Sequence, residues 1–331
     1  MTNRRSFIRQ ASTLLGSIAL HRNFAAAYPG LPPSPKFEPS DDEEDFWRQI
    51  RQAYAANPSI INLNNGGVSP SPRATMDALD YYNRMCCEAP SYYMWRILEE
   101  DREPLRYNLA ALAGVSTDEI AINRNSTEAL NSIIFGLNLK AGDEVVLSKY
   151  DYPNMINAWR QREKRDGIRL VWVDLDLPSE DENYLSNAFA SKFTDKTRIV
   201  HLTHIINWNG QILPVRKIAD RAHERGIEVL VDSAHAFALL DYKIPDLGCD
   251  YWGTSLHKWL CGPFGSGLLW IKRRKYRGSG RCWATIIRKA TASANSNRSA
   301  PGVFLRKWRS AIRSTCTISS VPAASKSGCI S

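Results

Sequence analysis

Two short segments of the chain each place an ionisable side chain just after an apolar run. Residues 229–231 are followed by Asp232, and residues 251–254 lead through Ser255 and a histidine to Lys258. Such apolar runs are typical of buried parallel strands, whose carboxyl ends meet at one edge of a sheet. An acid and a lysine at one such edge can hold opposite parts of pyridoxal phosphate (PLP). The acid would pair with the ring nitrogen, and the lysine would form a Schiff base with the aldehyde.

A bound phosphate needs hydrogen-bond donors, and the start of a helix supplies them. Ser126 and Thr127 open a predicted helix directly after an apolar strand. Backbone N–H groups at a helix N-terminus attract phosphate, and the two hydroxyls add further donors. Ser255 and His257 are candidate donors beside the lysine. The alternative for the helix start is an ordinary N-cap that binds no ligand.

Three more residues are candidates for contact with the cofactor ring. Tyr152 follows a predicted strand and could stack on the ring face, or simply pack in the core. Asn207 and His235 could bond the phenolic oxygen of the ring, or could be buried polar groups satisfied within the protein. None of the seven cysteines falls in a CxxC or zinc-ligand spacing, so we expect no metal site.

Apolar runs and helical periods alternate through the body of the chain. Strands are predicted over residues 119–123, 144–148, 168–173, 198–203, 228–232, 251–254 and 267–272. Helices are predicted over residues 41–56, 72–85, 103–113, 126–137, 154–165, 184–192 and 214–225. This alternation predicts an α/β fold with a mainly parallel sheet sandwiched by helices. Ligands of such sheets bind beyond the carboxyl ends of the strands, where Asp232 and Lys258 would lie.

The net charge of +9 is unevenly placed along the chain. No acidic residue follows Asp250, whereas 15 lysines and arginines do, so the first 250 residues carry a net charge of −6. The body therefore offers no overall basic face, and we expect no nucleic-acid partner. The alternative is a binding protein whose basic tail contacts nucleic acid or anionic lipid.

The chain divides into four predicted segments. At its start, Arg4 and Arg5 precede a short apolar stretch and an alanine-rich site, a pattern typical of a bacterial twin-arginine signal peptide. We therefore expect export to the periplasm or the exterior, and the apolar stretch is too short for stable membrane insertion. The segments are the signal peptide (1–27), a Pro-rich linker (28–40), the α/β domain with an N-terminal helical segment (41–274), and a basic Ser/Arg-rich tail that is disordered or non-native (275–331).

These motifs together resemble a known family. The patterns at residues 126–128, 232–235 and 255–258 occur in the order found in the class V aminotransferases, which are fold-type I PLP enzymes. Within that group, residues 63–70 and 92–95 resemble the isopenicillin-N-epimerase-like branch. The resemblance implies the large domain of a PLP-dependent transferase.

The resemblance also implies a role for each candidate residue. Lys258 would carry the Schiff base, and Asp232 would pair with the ring nitrogen. The other residues would hold the phosphate (Ser126, Thr127, Ser255, His257), stack on the ring (Tyr152) or lie near the phenolic oxygen (Asn207, His235). The implied activity is chemistry at the α-carbon of a small amino-acid substrate, of an epimerase or aminotransferase type.

Two alternatives to that activity remain open. The family carries a small C-terminal domain that supplies a substrate-binding arginine and part of a homodimer interface, and nothing after residue 276 resembles it. The chain could therefore be an inactive, truncated or frameshifted fragment. A cysteine desulfurase-like lyase is the other alternative. It would need a mobile nucleophilic cysteine, for which Cys282 is the candidate.

The frameshift alternative predicts a feature of the coding DNA beyond residue 276. Translation of that DNA in the other two frames beyond this point should then reveal patterned strands and helices of a small domain. Two further frames without such a pattern would favour a genuine truncation or a replaced tail.

Overall fold

The computed structural model describes residues 42–275, and the predicted signal peptide and linker lie outside them. The predicted tail also lies outside, apart from Lys275, which ends a 3₁₀ helix at Arg273–Lys275. The α-helices are α1 (Glu43–Ala53), α2 (Arg73–Glu88), α3 (Leu98–Ala113), α4 (Ser126–Gly136), α5 (Pro153–Asp166), α6 (Glu182–Ala190) and α7 (Val215–Glu224). The strands are β1 (Ile120–Asn123), β2 (Glu144–Ser148), β3 (Arg169–Val173), β4 (Thr197–Thr203), β5 (Glu228–Asp232), β6 (Tyr251–Ser255) and β7 (Gly267–Ile271).

The connection between α2 and α3 is itself helical. A short helical turn at Pro90–Tyr92 runs into a π-helix at Tyr93–Ile97, and α3 follows without a break. The sequence predicts a helix over residues 103–113, whereas α3 begins at Leu98, so Pro104 lies inside the helix.

The strands form one seven-stranded sheet in the order β1-β7-β6-β5-β4-β2-β3. Strands β2 to β6 pair in parallel, whereas β7 runs antiparallel to both β1 and β6. The predicted mainly parallel sheet is confirmed, and the antiparallel β7 is an addition to it. Parallel pairing brings the carboxyl ends of β4, β5 and β6 to one edge, with Thr203 beside Asp232 and Asp232 beside Gly253.

Helices cover both faces of this sheet. In β2, Val145 and Leu147 pack in a core with α4 and α5, whereas Val146 packs in a second core with α3, α6 and α7. Burial of both faces explains why the strands appear in the sequence as continuous apolar runs. No helix within residues 42–275 is both long and apolar enough to cross a bilayer.

Helix α4 lies unusually close to the sheet. Its N-cap Asn125 accepts a hydrogen bond from the backbone N–H of Glu128 at 2.8 Å. One turn later, a Cβ placed on Gly253 of β6 would lie 3.0 Å from the Cβ of Ala129 and 3.1 Å from the Leu130 side chain. Glycine at this strand position therefore permits a close approach of the helix.

The segment between α1 and α2 returns to the loop that follows β6. The backbone N–H of Ser69 donates to the carbonyl of His257 at 3.0 Å. The hydroxyl of Ser71 donates to the carbonyl of Gly262 at 3.1 Å. This N-terminal segment thus holds the loop that contains Lys258.

Replacement of Gly253 by valine should destabilise the fold by about 1–3 kcal/mol, the usual cost of an overpacked core site. The added methyl groups would overlap Ala129 and Leu130. Urea unfolding followed by circular dichroism measures the cost, and Gly253→Ala should lose less because it adds one methyl group. A valine variant as stable as the parent chain would contradict this close packing.

Candidate active site

Asp232 ends β5 and is the acid at the predicted edge of the sheet. Its side chain is buried, and Oδ1 accepts a hydrogen bond from the backbone N–H of Ala234 at 2.9 Å. Burial raises the pKa of Asp232, although that hydrogen bond and the charge of Lys258 both act to lower it. A neighbouring cation stabilises the ionised form of a buried carboxyl more strongly than that of an exposed one, because water screens the interaction less.

Lys258 follows β6 and lies within the electrostatic reach of Asp232. Burial lowers the pKa of the Lys258 amine, and the negative charge of Asp232 opposes this shift only in part. Desolvation therefore outweighs the attraction between the two groups, and more of the amine is uncharged at neutral pH than in an exposed lysine. A neutral amine is the form that can attack an aldehyde.

His235 contacts the lysine directly. Its Nε2 lies 3.0 Å from Nζ of Lys258. Burial, followed by the charge of Lys258, lowers the pKa of His235 to about 4, so the ring is neutral near pH 7. A Cβ placed on Gly66 would lie 3.1 Å from this ring and 3.3 Å from Trp259. The N-terminal segment therefore packs against the histidine, at a point where a larger residue would displace it.

The start of α4 and the end of β6 meet through two serines. The backbone N–H of Ser126 donates to Oγ of Ser255 at 2.9 Å, and the Ser255 hydroxyl donates to Oγ of Ser126 at 3.0 Å. Thr127 is next along the helix and half-buried, and no hydrogen bond within residues 42–275 engages its backbone N–H. The helix N-terminus and the hydroxyls of these residues together form a group of donors of the kind that binds phosphate.

Gly267 permits this arrangement from the neighbouring strand. A Cβ added there would lie 2.4 Å from Oδ1 of Asn123 and 2.6 Å from the backbone of Asn125. Such distances are overlaps, so β7 can run beside the start of α4 only because this residue is glycine.

The remaining predicted residues lie around the same loops. Nδ1 of His257 lies 3.1 Å from the carbonyl of Ser266, which fixes the ring, and burial lowers the pKa of His257. Tyr152 precedes α5 and its side chain is 37% exposed, so the ring is available for stacking. Asn207 lies exposed in the turn beyond β4. Among the described residues, no hydrogen bond joins Tyr152 or Asn207 to Asp232 or Lys258.

One buried acid at this edge is not among the residues predicted from the sequence. Asp151 is 2% exposed and precedes Tyr152. Its Oδ1 accepts from the Thr203 hydroxyl at 2.6 Å, and its Oδ2 accepts from the backbone N–H of Ser148 at 2.7 Å. Its signal in the sequence was an acid shortly after a buried strand, the same signal that identified Asp232.

The residues present fit PLP. A buried acid, a desolvated amine, and the hydroxyls and Thr127 N–H at the start of α4 offer partners for the ring nitrogen, the aldehyde and the phosphate. Within the described part of the chain, no group of three or more His, Cys, Asp or Glu side chains is placed to hold a metal ion.

About two thirds of the chain resembles known proteins. Residues 61–285 match the family Aminotransferase class-V. The chain is 31% identical over 224 residues to isopenicillin N epimerase of Streptomyces clavuligerus, covering 67% of this chain and 56% of the epimerase. It is also 31% identical over 232 residues to a probable cysteine desulfurase of Halobacterium salinarum, covering 68% of this chain and 55% of the relative.

A solved structure shares the fold. It is a mutant of C-DES with glycine covalently linked to the PLP cofactor, and it superposes with a TM-score of 0.63 at 24% identity over 70% of this chain and 61% of the other. The likeness confirms the predicted fold class. The chain spans little more than half of the length of the curated relatives that it matches.

The lowered pKa of Lys258 predicts unusual reactivity of its amine. In protein freed of bound small molecules, an amine-selective reagent should label Lys258 faster at pH 8, per accessible group, than exposed lysines such as Lys192 and Lys196. Asp232→Asn removes the charge that stabilises the ammonium form, so the pH profile of labelling should shift to lower pH. Mass spectrometry of the digested protein measures both rates. A profile that is unchanged, or shifted to higher pH, would contradict the electrostatic contact between the two residues.

Proposed function

The chain belongs to the class-V aminotransferase family, and we propose that it binds PLP and acts at the α-carbon of an amino acid or amino-acid derivative. The observation that carries this proposal is that β5 and β6, paired in parallel, place the buried Asp232 and the partly buried Lys258 at the same edge of the sheet, where each acts on the charge of the other. The family match and the PLP-containing C-DES structure support it. The reaction type proposed is that of an epimerase or aminotransferase.

Residues of this chain would hold each part of the cofactor. When bound, PLP supplies an aldehyde that a lysine captures covalently and a protonated ring that draws electrons from the α-carbon of an amino acid. Asp232 would hold the proton on the ring nitrogen. Ser126, Thr127, Ser255 and His257 would hold the phosphate. Tyr152 would stack on the ring, and His235 and Asn207 would lie near its phenolic oxygen.

Lys258 has a second task in this proposal. Once displaced by the substrate, its amine can remove or return the proton at the substrate α-carbon, because burial keeps part of it uncharged. His235 lies 3.0 Å from that amine and stays neutral, so it does not add a second positive charge beside it. Burial of Lys258 and the neutral state of His235 would therefore together set what fraction of the amine is uncharged.

The second candidate is a cysteine desulfurase-like lyase, favoured by the identity to the Halobacterium relative. That reaction needs a thiolate, which forms readily only where the cysteine pKa is depressed. Burial instead raises the pKa of Cys249 and of Cys261. Cys282, the candidate named from the sequence, lies outside the described residues. Neither Cys249 nor Cys261 therefore offers an activated thiolate for transfer of sulfur.

Three finer points belong to the same proposal. The substrate would be a small amino-acid derivative. The chain would assemble as a homodimer. It would reach the bacterial periplasm or exterior by the twin-arginine pathway, which Arg4 and Arg5 suggest. A monomeric mass at micromolar concentration would contradict the second point. Retention of the uncleaved chain inside the cell would contradict the third.

The test is the spectrum of the purified protein with added PLP. An absorbance band of the lysine adduct in the near-ultraviolet to visible range should form and should be lost completely in Lys258→Ala, because that variant lacks the amine that would form the adduct. Borohydride reduction followed by peptide mapping should place the adduct on Lys258. Binding without turnover of any amino acid would support the alternative of an inactive fragment.

Lys149→Ala is the matched control. Lys149 follows β2, is exposed and pairs with the exposed Asp174 after β3, so its loss should leave the band unchanged. An adduct that maps to any lysine other than Lys258 would refute the proposed function.

A further inference from the structure

A second buried carboxyl lies beside the acid that would hold the cofactor ring. Asp151 and Asp232 are both almost fully buried, at 2% and 4% exposure. They are held on different elements, since Asp151 ends the loop after β2 and Asp232 ends β5. Two buried carboxyls at one edge of a sheet cost free energy when both are ionised, so their presence there needs a physical reason.

Thr203 connects the two acids. Its hydroxyl donates to Oδ1 of Asp151 at 2.6 Å, and its backbone pairs in register with Asp232 on the neighbouring strand. The backbone N–H of Ser148 occupies the other oxygen of Asp151 at 2.7 Å. Both oxygens of Asp151 therefore accept hydrogen bonds, which is the pattern that favours a carboxylate over a carboxylic acid.

The charges around Asp151 come from few elements. Burial raises the pKa of Asp151 to about 7, repulsion from Asp232 on β5 adds a smaller contribution in the same direction, and hydrogen bonds from Thr203 and Ser148 act to lower it. Just after β4, burial lowers the pKa of His204 to about 4, so its ring is neutral near pH 7. Lys258, after β6, acts on Asp232. Asp151 thus has no cation of its own among these groups.

We propose that Asp151 is a positioning residue for the cofactor and acts through Asp232: its negative charge stabilises the proton that Asp232 holds on the ring nitrogen. This inference rests on the proposed function. A single carboxylate balances the single positive charge of the ring, and a second one nearby makes loss of the proton more costly. Protonation of Asp151 removes this second charge, so the hold on the protonated ring weakens as the pH falls through the titration of Asp151.

The test uses pyridoxamine 5′-phosphate, which carries an amine in place of the aldehyde and cannot form the covalent bond with Lys258. Its affinity is measured by calorimetry between pH 6 and pH 9. The protonation state of the ring nitrogen is measured by nitrogen NMR of the ¹⁵N-labelled compound. Asp151→Asn should bind about tenfold more weakly at pH 8.5, where the parent chain carries the charge. The difference from the parent should shrink toward pH 6, and the ring signal of the variant should move toward that of the unprotonated form.

Thr203→Val provides a second variant that keeps the acid. It removes a hydrogen bond that lowers the pKa of Asp151, so the inflection in the affinity of the parent chain should move to higher pH. If Asp151 had a purely structural role, Thr203→Val would not move this inflection. Thr203→Val therefore tests the role of Asp151 even if Asp151→Asn fails to fold. Asp220→Asn, an exposed acid paired with Arg216 on α7, is the control and should match the parent.

The outcomes separate this inference from the proposed function. If the parent chain binds neither PLP nor pyridoxamine 5′-phosphate, both fall together. If it binds them, but Asp151→Asn keeps the affinity, pH profile and ring signal of the parent, or Thr203→Val leaves the inflection in place, the role of Asp151 alone is overturned.

Discussion

The structure depends on the burial of ionisable groups at one edge of the sheet. Asp232 and Lys258 are opposite in charge, yet burial shifts the pKa of each toward its neutral form, so their attraction does not repay the loss of solvent. Such an arrangement is costly in the absence of a ligand and becomes favourable when a cationic ring and an aldehyde occupy it. The fold must therefore supply rigid support for two groups that would otherwise turn toward water.

That support comes from close packing at glycines. Gly253 lets α4 lie against β6, Gly267 lets β7 run beside the start of α4, and Gly66 lets the N-terminal segment lie against His235. At each site a Cβ would press on the neighbouring element, so glycine permits an approach that a side chain would prevent. The serine pair between α4 and β6 is the direct result, because its two hydrogen bonds require the helix to begin at the end of the strand.

The polar groups at this edge are built for binding more than for stability. Apolar side chains of similar volume at Asp151 and Asp232 would avoid the cost of burying two carboxyls. Their hydrogen bonds from Thr203, Ser148 and Ala234 offset part of that cost and fix the direction of each carboxyl. Preorganised groups of this kind need not rearrange when the ligand arrives.

The sequence by itself determined the α/β class, most strands and helices to within a few residues, and the placement of Asp232 and Lys258 at one edge of the sheet. These follow from local signals: apolar runs mark strands buried on both faces, and an ionisable residue at the end of such a run lies where parallel strands place their ligands. The tertiary structure alone decided that β7 is antiparallel, that Asp151 lies beside Asp232, and that Gly66 contacts His235. Ser126 and Ser255 are 129 residues apart in the chain, and their contact likewise exists only in the folded sheet. The physical reason is that strand order and direction depend on how the crossover helices pack, and no local pattern of residues encodes which distant backbones will meet.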